Sequence, residues 1–281
     1  MTDAKLLDPP LLPLWRAPGV LQLGSEGFVV LERVPTEFAH AITLLTHPQT
    51  QVSLKRLLPR LDAAWVDWLW TELGRHGFLR NCVRTKPIET EVVGSGDLAT
   101  RIADALASSP GLSVSLTRDI EVATMPGHAL RRDWVTPPNL LVVATQTVEP
   151  DRTITDELVQ AGIPHLIVRV EPTRAAVGPF VVPGITGCVR CLDLTRAYYD
   201  TAWPRLLAQL CRASPQPPEA LTAWAVATAV LQVRAHAAGH APDTLGRILE
   251  VRADELTLSA MDLPAHPDCR CQLDPDERDD I

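Results

Sequence analysis

The sequence predicts an α/β protein of two domains: a winged helix-turn-helix over residues 1–84, then a parallel-sheet domain over 85–281 that carries a structural metal site. Three observations lead there. Short strands precede three helices before residue 80, strands alternate with helices beyond residue 90, and four cysteines fall into two tight pairs. A chain of 281 residues is long enough for two modest cores.

The first domain opens with strands. "LPLWR", a Pro18-Gly19 turn, "VLQLG", a Ser25–Gly27 turn and "FVVLERV" fill Leu11 to Val34. Three helices follow: Glu37–Leu45 after Pro35-Thr36, Leu54–Leu61 with Ser53 as its N-cap, and Ala63–His76 behind Asp62 and ended by Gly77. Trp65, Trp68, Leu69 and Leu73 recur at helical spacing, so one face of the last helix is buried. Three strands with three helices suggest the winged fold.

"NCVRTKPIET" (81–90) is a linker, and beyond it "TEVVGSGDLATRIADALASSPG" has the pattern of strand, glycine turn and helix. "LSVSLTR", "NLLVVAT" and "HLIVRV" add strands, with the helical "TITDELVQAGI" before the last; this alternation predicts a parallel sheet. Then come helix 192–202, a Trp203-Pro204 restart and an Ala-rich helix 219–238 ended by Gly239. "GRILEVRADELTLSAM" is a hairpin about Ala253-Asp254, and "DPDERDD" an acidic tail with the composition of disorder.

Composition narrows the function. The chain is 46% hydrophobic and 21% charged, with a net charge of −8, which disfavours a general nucleic-acid or anionic-membrane binder. The charge is uneven: residues 1–84 hold nine Lys/Arg against eight Asp/Glu, and residues 85–281 hold 17 against 26. "MTDAKLLDPPLLPLW" lacks the features of a secretory signal, and the apolar stretch Ala220–Val233 is short of the ~20 residues that span a bilayer. The expectation is a cytoplasmic protein whose thiols stay reduced.

In that setting clustered cysteines more often bind metal than each other. Cys188 and Cys191 stand in "GITGCVRCLDLTRAYYDTAWPRLL", Cys269 and Cys271 in "HPDCRCQ". Four thiolates form the closed tetrahedral set that structural zinc prefers, with no coordination position left for water. Arg190 and Arg270 would offset its negative charge. Four unligated thiols or a regulatory disulfide is the alternative. Cys82 and Cys211 stand alone.

Gly94-Ser-Gly96-Asp-Leu-Ala99 fits G-x-G-x-x-A, in which small residues let a backbone approach phosphates at a helix N-terminus. Handling ATP also needs cations for the phosphates and a carboxylate for magnesium. The lysines are Lys5, Lys55 and Lys86, so none lies beyond the linker, and Thr145-Gln146-Thr147 ends the "LLVVA" strand where an acid is wanted. Arg101 and Arg118 could touch a phosphate, which Asp97 would repel. The alternative, favoured here, is a degenerate turn that only packs helix on strand.

Together the cysteine run with its Trp-Pro, the "HPDCRC" close and the amino-terminal winged helix resemble the ocin-ThiF-like and cyclodehydratase partner proteins of azole-modified (thiazole/oxazole) peptide biosynthesis. These are ThiF-like, ubiquitin-activating-enzyme-like proteins associated with binding precursor leader peptides. The resemblance implies a Rossmann-type second domain, Cys188, Cys191, Cys269 and Cys271 as zinc ligands, and residues 11–80 as a peptide recognition element. There a leader peptide adds beside the third strand and lies against the third helix. The lysine and the magnesium-binding aspartate of active ThiF-like enzymes have no counterpart here, so the resemblance assigns ATP chemistry to a separate YcaO-domain cyclodehydratase.

Physical chemistry supports that picture of the first domain. An open sheet edge offers unpaired N–H and C=O groups to an extended peptide. "FVVLERV" would be the edge, with Val29, Leu31 and Arg33 on one face and Phe28, Val30 and Glu32 on the other. Trp65, Trp68 and Trp70 are candidate anchors, each alternatively core, and Arg33 and Arg75 candidate partners for leader carboxylates.

Three functions compete: a non-catalytic leader-binding scaffold, which is preferred; a ThiF-type adenylating enzyme, marked by pyrophosphate exchange; and a winged-helix DNA-binding regulator. The last needs phosphate-binding cations, whereas helix 63–76 sets Arg75 and His76 against Asp67 and Glu72. Helix 219–238, apolar at Leu221, Trp224, Val226, Val230 and Leu231, fits either a homodimer interface or an inner layer of the fold.

Overall fold

Alternating burial builds the first sheet in the computed structural model, which describes residues 4–8, 10–26, 29–81, 87–109, 111–118, 137–254 and 257–273. Phe28, Cys82, Lys86 and the acidic tail from residue 274 lie outside the described residues. The chain divides into two units, Met1–Thr85 and Lys86–Ile281.

The first unit runs β1 (Lys5–Leu7), β2 (Pro13–Ala17), β3 (Val20–Leu23), β4 (Val29–Glu32), α1 (Glu37–Leu44), α2 (Gln51–Leu57), α3 (Ala63–Arg75) and β5 (Leu79–Asn81). Strands β2, β3 and β4 form an antiparallel sheet in that order, and β1 pairs with β5. Leu21 and Leu23 of β3, Val29 and Leu31 of β4, Phe38 and Ile42 of α1, Leu54 of α2 and Val66, Leu69 and Leu73 of α3 share one core.

Two local details differ from the sequence expectation. The β1–β5 pair was not foreseen, because three-residue strands carry no readable period. Helix α2 begins at Gln51, not Leu54: the Thr50 hydroxyl accepts from the Ser53 N–H at 2.9 Å while Ser53 Oγ accepts from the Thr50 N–H at 2.8 Å. Ser53 therefore completes a capping box from inside the helix, one turn after the cap.

The second unit contains β6 (Ile88–Val93), α4 (Asp97–Ala107), β7 (Leu112–Thr117), β8 (Leu140–Ala144), α5 (Arg152–Gln160), β9 (His165–Val170), β10 (Arg174–Val181), α6 (Val189–Tyr199), α7 (Trp203–Leu210), α8 (Glu219–Ala237), β11 (Arg247–Arg252) and β12 (Leu258–Asp262). Its seven strands lie in the order β12-β11-β10-β9-β8-β6-β7. Pairs among β7, β6, β8 and β9 are parallel, as in a Rossmann-like sheet, while β9 through β12 pair antiparallel. The expected parallel sheet is thus present in β7, β6, β8 and β9, and an antiparallel half that ends in the expected hairpin extends it. Residues 171–173 alone join β9 to β10, closed by Glu171 N–H to Arg174 C=O at 2.8 Å, and a parallel crossover needs a dozen or more residues.

Helices cover both faces of the sheet. Val92, Val142, Leu166 and Val168 share a core with α4 and α8, and Val93, Val143 and Ile167 share another with Ile154 and Leu158 of α5 and Val189 of α6. The apolar girth of α8 is largely an inner-layer property: Leu221, Ala225, Ala229 and Val233 are buried, although Leu231 is exposed.

Candidate functional site

Cysteine is brought to cysteine by two chain segments meeting below the sheet's antiparallel half. Cys188 caps α6 and Cys191 lies in its first turn, while Cys269 and Cys271 flank Arg270 at a short 3-10 turn. All four are buried, and their sulfur atoms lie within 4.8 Å of one another. The sulfur separations are 3.9 Å for Cys188–Cys191, 3.7 Å for Cys188–Cys269 and 3.5 Å for Cys191–Cys271. A tetrahedron with zinc–sulfur bonds of about 2.3 Å has edges of about 3.8 Å. The donor set therefore fits a metal ion such as zinc.

Hydrogen bonds between the two segments add to the meeting of the sulfurs. Gly184 N–H donates to Cys271 C=O at 3.0 Å and Gln272 Nε2 to Thr186 C=O at 2.9 Å. Gly187 lets Leu263 pass, since a Cβ there would sit 2.4 Å from the Leu263 oxygen. Hydrogen bonding with Cys188 lowers the Cys191 thiol pKa and brings that of Cys271 to about 7. Hydrogen bonding with Cys191 raises that of Cys188, and at Cys269 the bonds with Cys191 and Cys271 outweigh the lowering by Cys188, so two of the four sulfurs reach thiolate, the metal-binding form, near neutrality. Arg190 pairs with Asp156, with Nε 3.3 Å from Oδ1, and also attracts Cys269. Arg270 is exposed. Cys211 stands apart, its thiol 3.3 Å from the Pro150 oxygen.

The glycine turn occupies the point where strand order reverses, because β6 has β7 on one side and β8 on the other. Open α/β sheets bind ligands in that crevice. Here β8 and the segment after it approach the turn closely: a Cβ on Gly94 would lie 1.9 Å from the Ala144 oxygen, and one on Gly96 1.8 Å from Gln146 Nε2. Gly94 has φ +154° and Gly96 φ +89°. Ala99 is buried just inside α4. Arg101 reaches Glu219 at 2.8 Å and Asp97 at 3.3 Å. Arg118 is exposed after β7. Because backbone rather than a flexible side chain blocks the first position, Gly94→Ala is expected to cost about 2–3 kcal/mol, seen as a lower urea midpoint.

Sequence reasoning missed a buried ion network just beyond that turn. Glu149, 2% exposed, receives Arg152 Nη2 at 2.9 Å and Arg196 Nη1 at 3.1 Å and also pairs closely with Arg169 of β9. Arg152 holds Asp193 with Nε at 2.5 Å and Nη2 at 2.9 Å. Trp203 Nε1 donates to Asp193 at 3.1 Å, and Arg196 stacks 4.4 Å over the Trp203 ring. Burial alone would raise the Glu149 pKa, but Arg169, Arg152 and Arg196 bring it down to about 2. Asp193 and Trp203 both lie in the cysteine run, which was the one available signal.

Among the described residues of the first unit β4 is a sheet edge, and the candidate contacts divide in two. Val29 and Leu31 point into the core, whereas Val30 and Glu32 face outward. The strand ends before Arg33, which has φ +57° and is exposed. On α3, Trp65 is half-buried and Trp68 is 39% exposed; both rings meet Phe38, at centroid distances of 5.6 and 5.9 Å. Trp70 is half-buried too, with Lys5 Nζ 5.9 Å from its ring. Arg75 is tied to Glu72 at 2.6 Å.

No protein-family model and no curated protein matches the chain. Among solved structures it is similar to the heterocyclase TruD, with TM-score 0.61 and 17% identity over 95% of this chain and 42% of that one. A heterocyclase in complex with substrate and cofactor gives TM-score 0.64 and 16% identity over 94% of this chain and 39% of that one. E. coli MccB with AMPCPP and MccA gives 0.57 and 13% over 96% and 100%. The chain thus spans about two fifths of the heterocyclase chains and the full length of MccB. At these identities the likeness is one of fold. No helix among the described residues is long and apolar enough to cross a membrane.

Proposed function

We propose that this chain is a leader-peptide-binding scaffold that presents a ribosomal precursor to a separate YcaO-type, ATP-dependent cyclodehydratase, where Cys, Ser or Thr side chains close onto backbone amides as azolines. The observation that carries this reading is the open edge of β4, whose strand shares a core with the aromatic helix α3. An extended leader gains main-chain hydrogen bonds along β4, and its alternate side chains meet Val30 and Glu32. Val29 and Leu31 hold the strand from beneath. Trp68 offers an apolar anchor beside Trp65, with Arg33 and Arg75 at the rim.

Two further observations support the division of labour. Ala144 and Gln146 stand close against the glycine turn that serves nucleotides in this class of fold, and Arg101 is engaged by two carboxylates. The similar heterocyclase chains are more than twice as long as the part this chain matches. On this reading Cys188, Cys191, Cys269 and Cys271 hold a structural zinc, whose closed thiolate set leaves no position for substrate.

The test is a titration of the full-length protein with precursor peptides encoded beside it. Binding is expected for the leader and not for the core peptide. Trp68→Ala is expected to weaken it about tenfold, near 1.4 kcal/mol, with the thermal midpoint showing that the fold persists. A leader required by the cyclodehydratase that this protein does not bind would end the proposal.

A further inference from the structure

We propose that the four-cysteine cluster is also an oxidation site, at which peroxide joins Cys188 to Cys269 and then Cys191 to Cys271, expelling the metal and leaving covalent staples in its place. The inference rests on the metal-staple reading for what is expelled, but on the cysteine geometry alone for which bonds form.

Distance selects the pairs. Of the three sulfur contacts given above, the two that cross between the segments, 3.7 and 3.5 Å, are shorter than the 3.9 Å between Cys188 and Cys191 within one helical turn. Each cross-segment pair needs to close by only about 1.5 Å to reach a disulfide length. The main-chain and Gln272 hydrogen bonds between residues 184–186 and 271–272 keep the segments in place while the sulfurs move.

Access selects the order. A cavity of about 370 Å³ opens beside the cluster, lined by Cys188, Cys269 and Cys271 together with Arg190 and Arg270. Cys191 does not line it and is fully buried. A small neutral oxidant entering there meets both members of the Cys188–Cys269 pair but only Cys271 of the other, and Cys269 is the most exposed of the four thiols, with Arg190 on the same cavity wall.

The chemistry balances with hydrogen peroxide as oxidant. The Cys269 thiolate attacks one peroxide oxygen, the O–O bond breaks, and the departing hydroxide takes a proton from solvent to become water. The Cys188 thiolate then attacks the sulfenic sulfur; the S–S bond forms, the S–O bond breaks, and a second hydroxide is protonated. Two thiolates lose two electrons and one peroxide becomes two waters. With two of its four ligands gone the metal leaves, and a second peroxide closes Cys191 to Cys271 in the same way.

The experiment adds hydrogen peroxide stepwise to full-length protein whose metal content has first been measured. Released metal is read with a chromogenic chelator, connectivity by peptide mapping without reduction, and stability by thermal melting. The expected results are loss of the bound metal in step with a first cross-link between Cys188 and Cys269, and a melting midpoint of the oxidised, metal-free protein above that of reduced protein stripped by a chelator. Arg190→Gln is expected to slow the first step while lowering the midpoint of the reduced, metal-loaded protein by no more than about 4 °C, the share of its pair with Asp156. Cross-links within the local pairs, sulfinic acid with no cross-link, or an oxidation rate indifferent to Arg190 would overturn the proposal. Protein purified without metal would count against the staple reading, while the connectivity would still decide this one.

Discussion

Glu149→Gln is expected to destabilise the second unit by about 3–5 kcal/mol, because it leaves the fully buried Arg169 guanidinium facing Arg152 and Arg196 without its shared anion. Urea unfolding measures this, and Asp156→Asn, which breaks the more exposed pair with Arg190, is the contrast, at about 1 kcal/mol or less. The sign with pH follows from the shifts. The Glu149 pKa falls from 4.5 to about 2 on folding, so its contribution is complete above pH 4.5 and is lost as pH falls toward 2. Burial lowers the His165 pKa from 6.5 to about 4, and its contribution is lost over that earlier window. Stability of the wild type should therefore decline in two acid stages. Glu149→Gln should abolish the lower stage, worth about 3 kcal/mol, and spare the upper; a single stage in the wild type would contradict the assignment.

On the proposed reading of the four cysteines as a metal staple, removal of the metal, by a strong chelator or by Cys191→Ser, is expected to lower the thermal midpoint by on the order of 10 °C, equivalent to about 4 kcal/mol at this domain size. The figure is below the 10–16 kcal/mol typical of isolated zinc peptides, because this unit has its own sheet core and the C-terminal segment keeps its hydrogen bonds to residues 184–186. Zinc added back should restore the chelated wild type and not the Cys191→Ser variant. An unchanged midpoint after complete stripping would show that the four sulfurs do not staple the fold.

What sequence could reveal follows the range of the interaction involved. Long amphipathic segments were legible: the helix of Trp65, Trp68, Leu69 and Leu73 begins at Ala63 behind Asp62 as its pattern required. The cysteine meeting was legible because local spacing and the chemistry of thiolates point the same way. Strand β10 was not read, since Ala175, Ala176 and Val177 followed by Gly178-Pro179 give no alternation, and with it went the link that joins the expected hairpin to the parallel strands. The Glu149 network escaped because its members are scattered from residue 149 to residue 203 and only the fold gathers them. Val29 and Leu31 were correctly placed on one strand face, but a period of two cannot say which face is the inner one.

Gln146 ties the glycine turn to the segment after β8. Its amide stands where a Cβ on Gly96 would fall and is neutral, so shortening it would loosen the turn without adding positive charge, and freeing Arg101 from Asp97 and Glu219 would add charge without loosening the turn. A stronger pull on a triphosphate at this turn would therefore take both changes together.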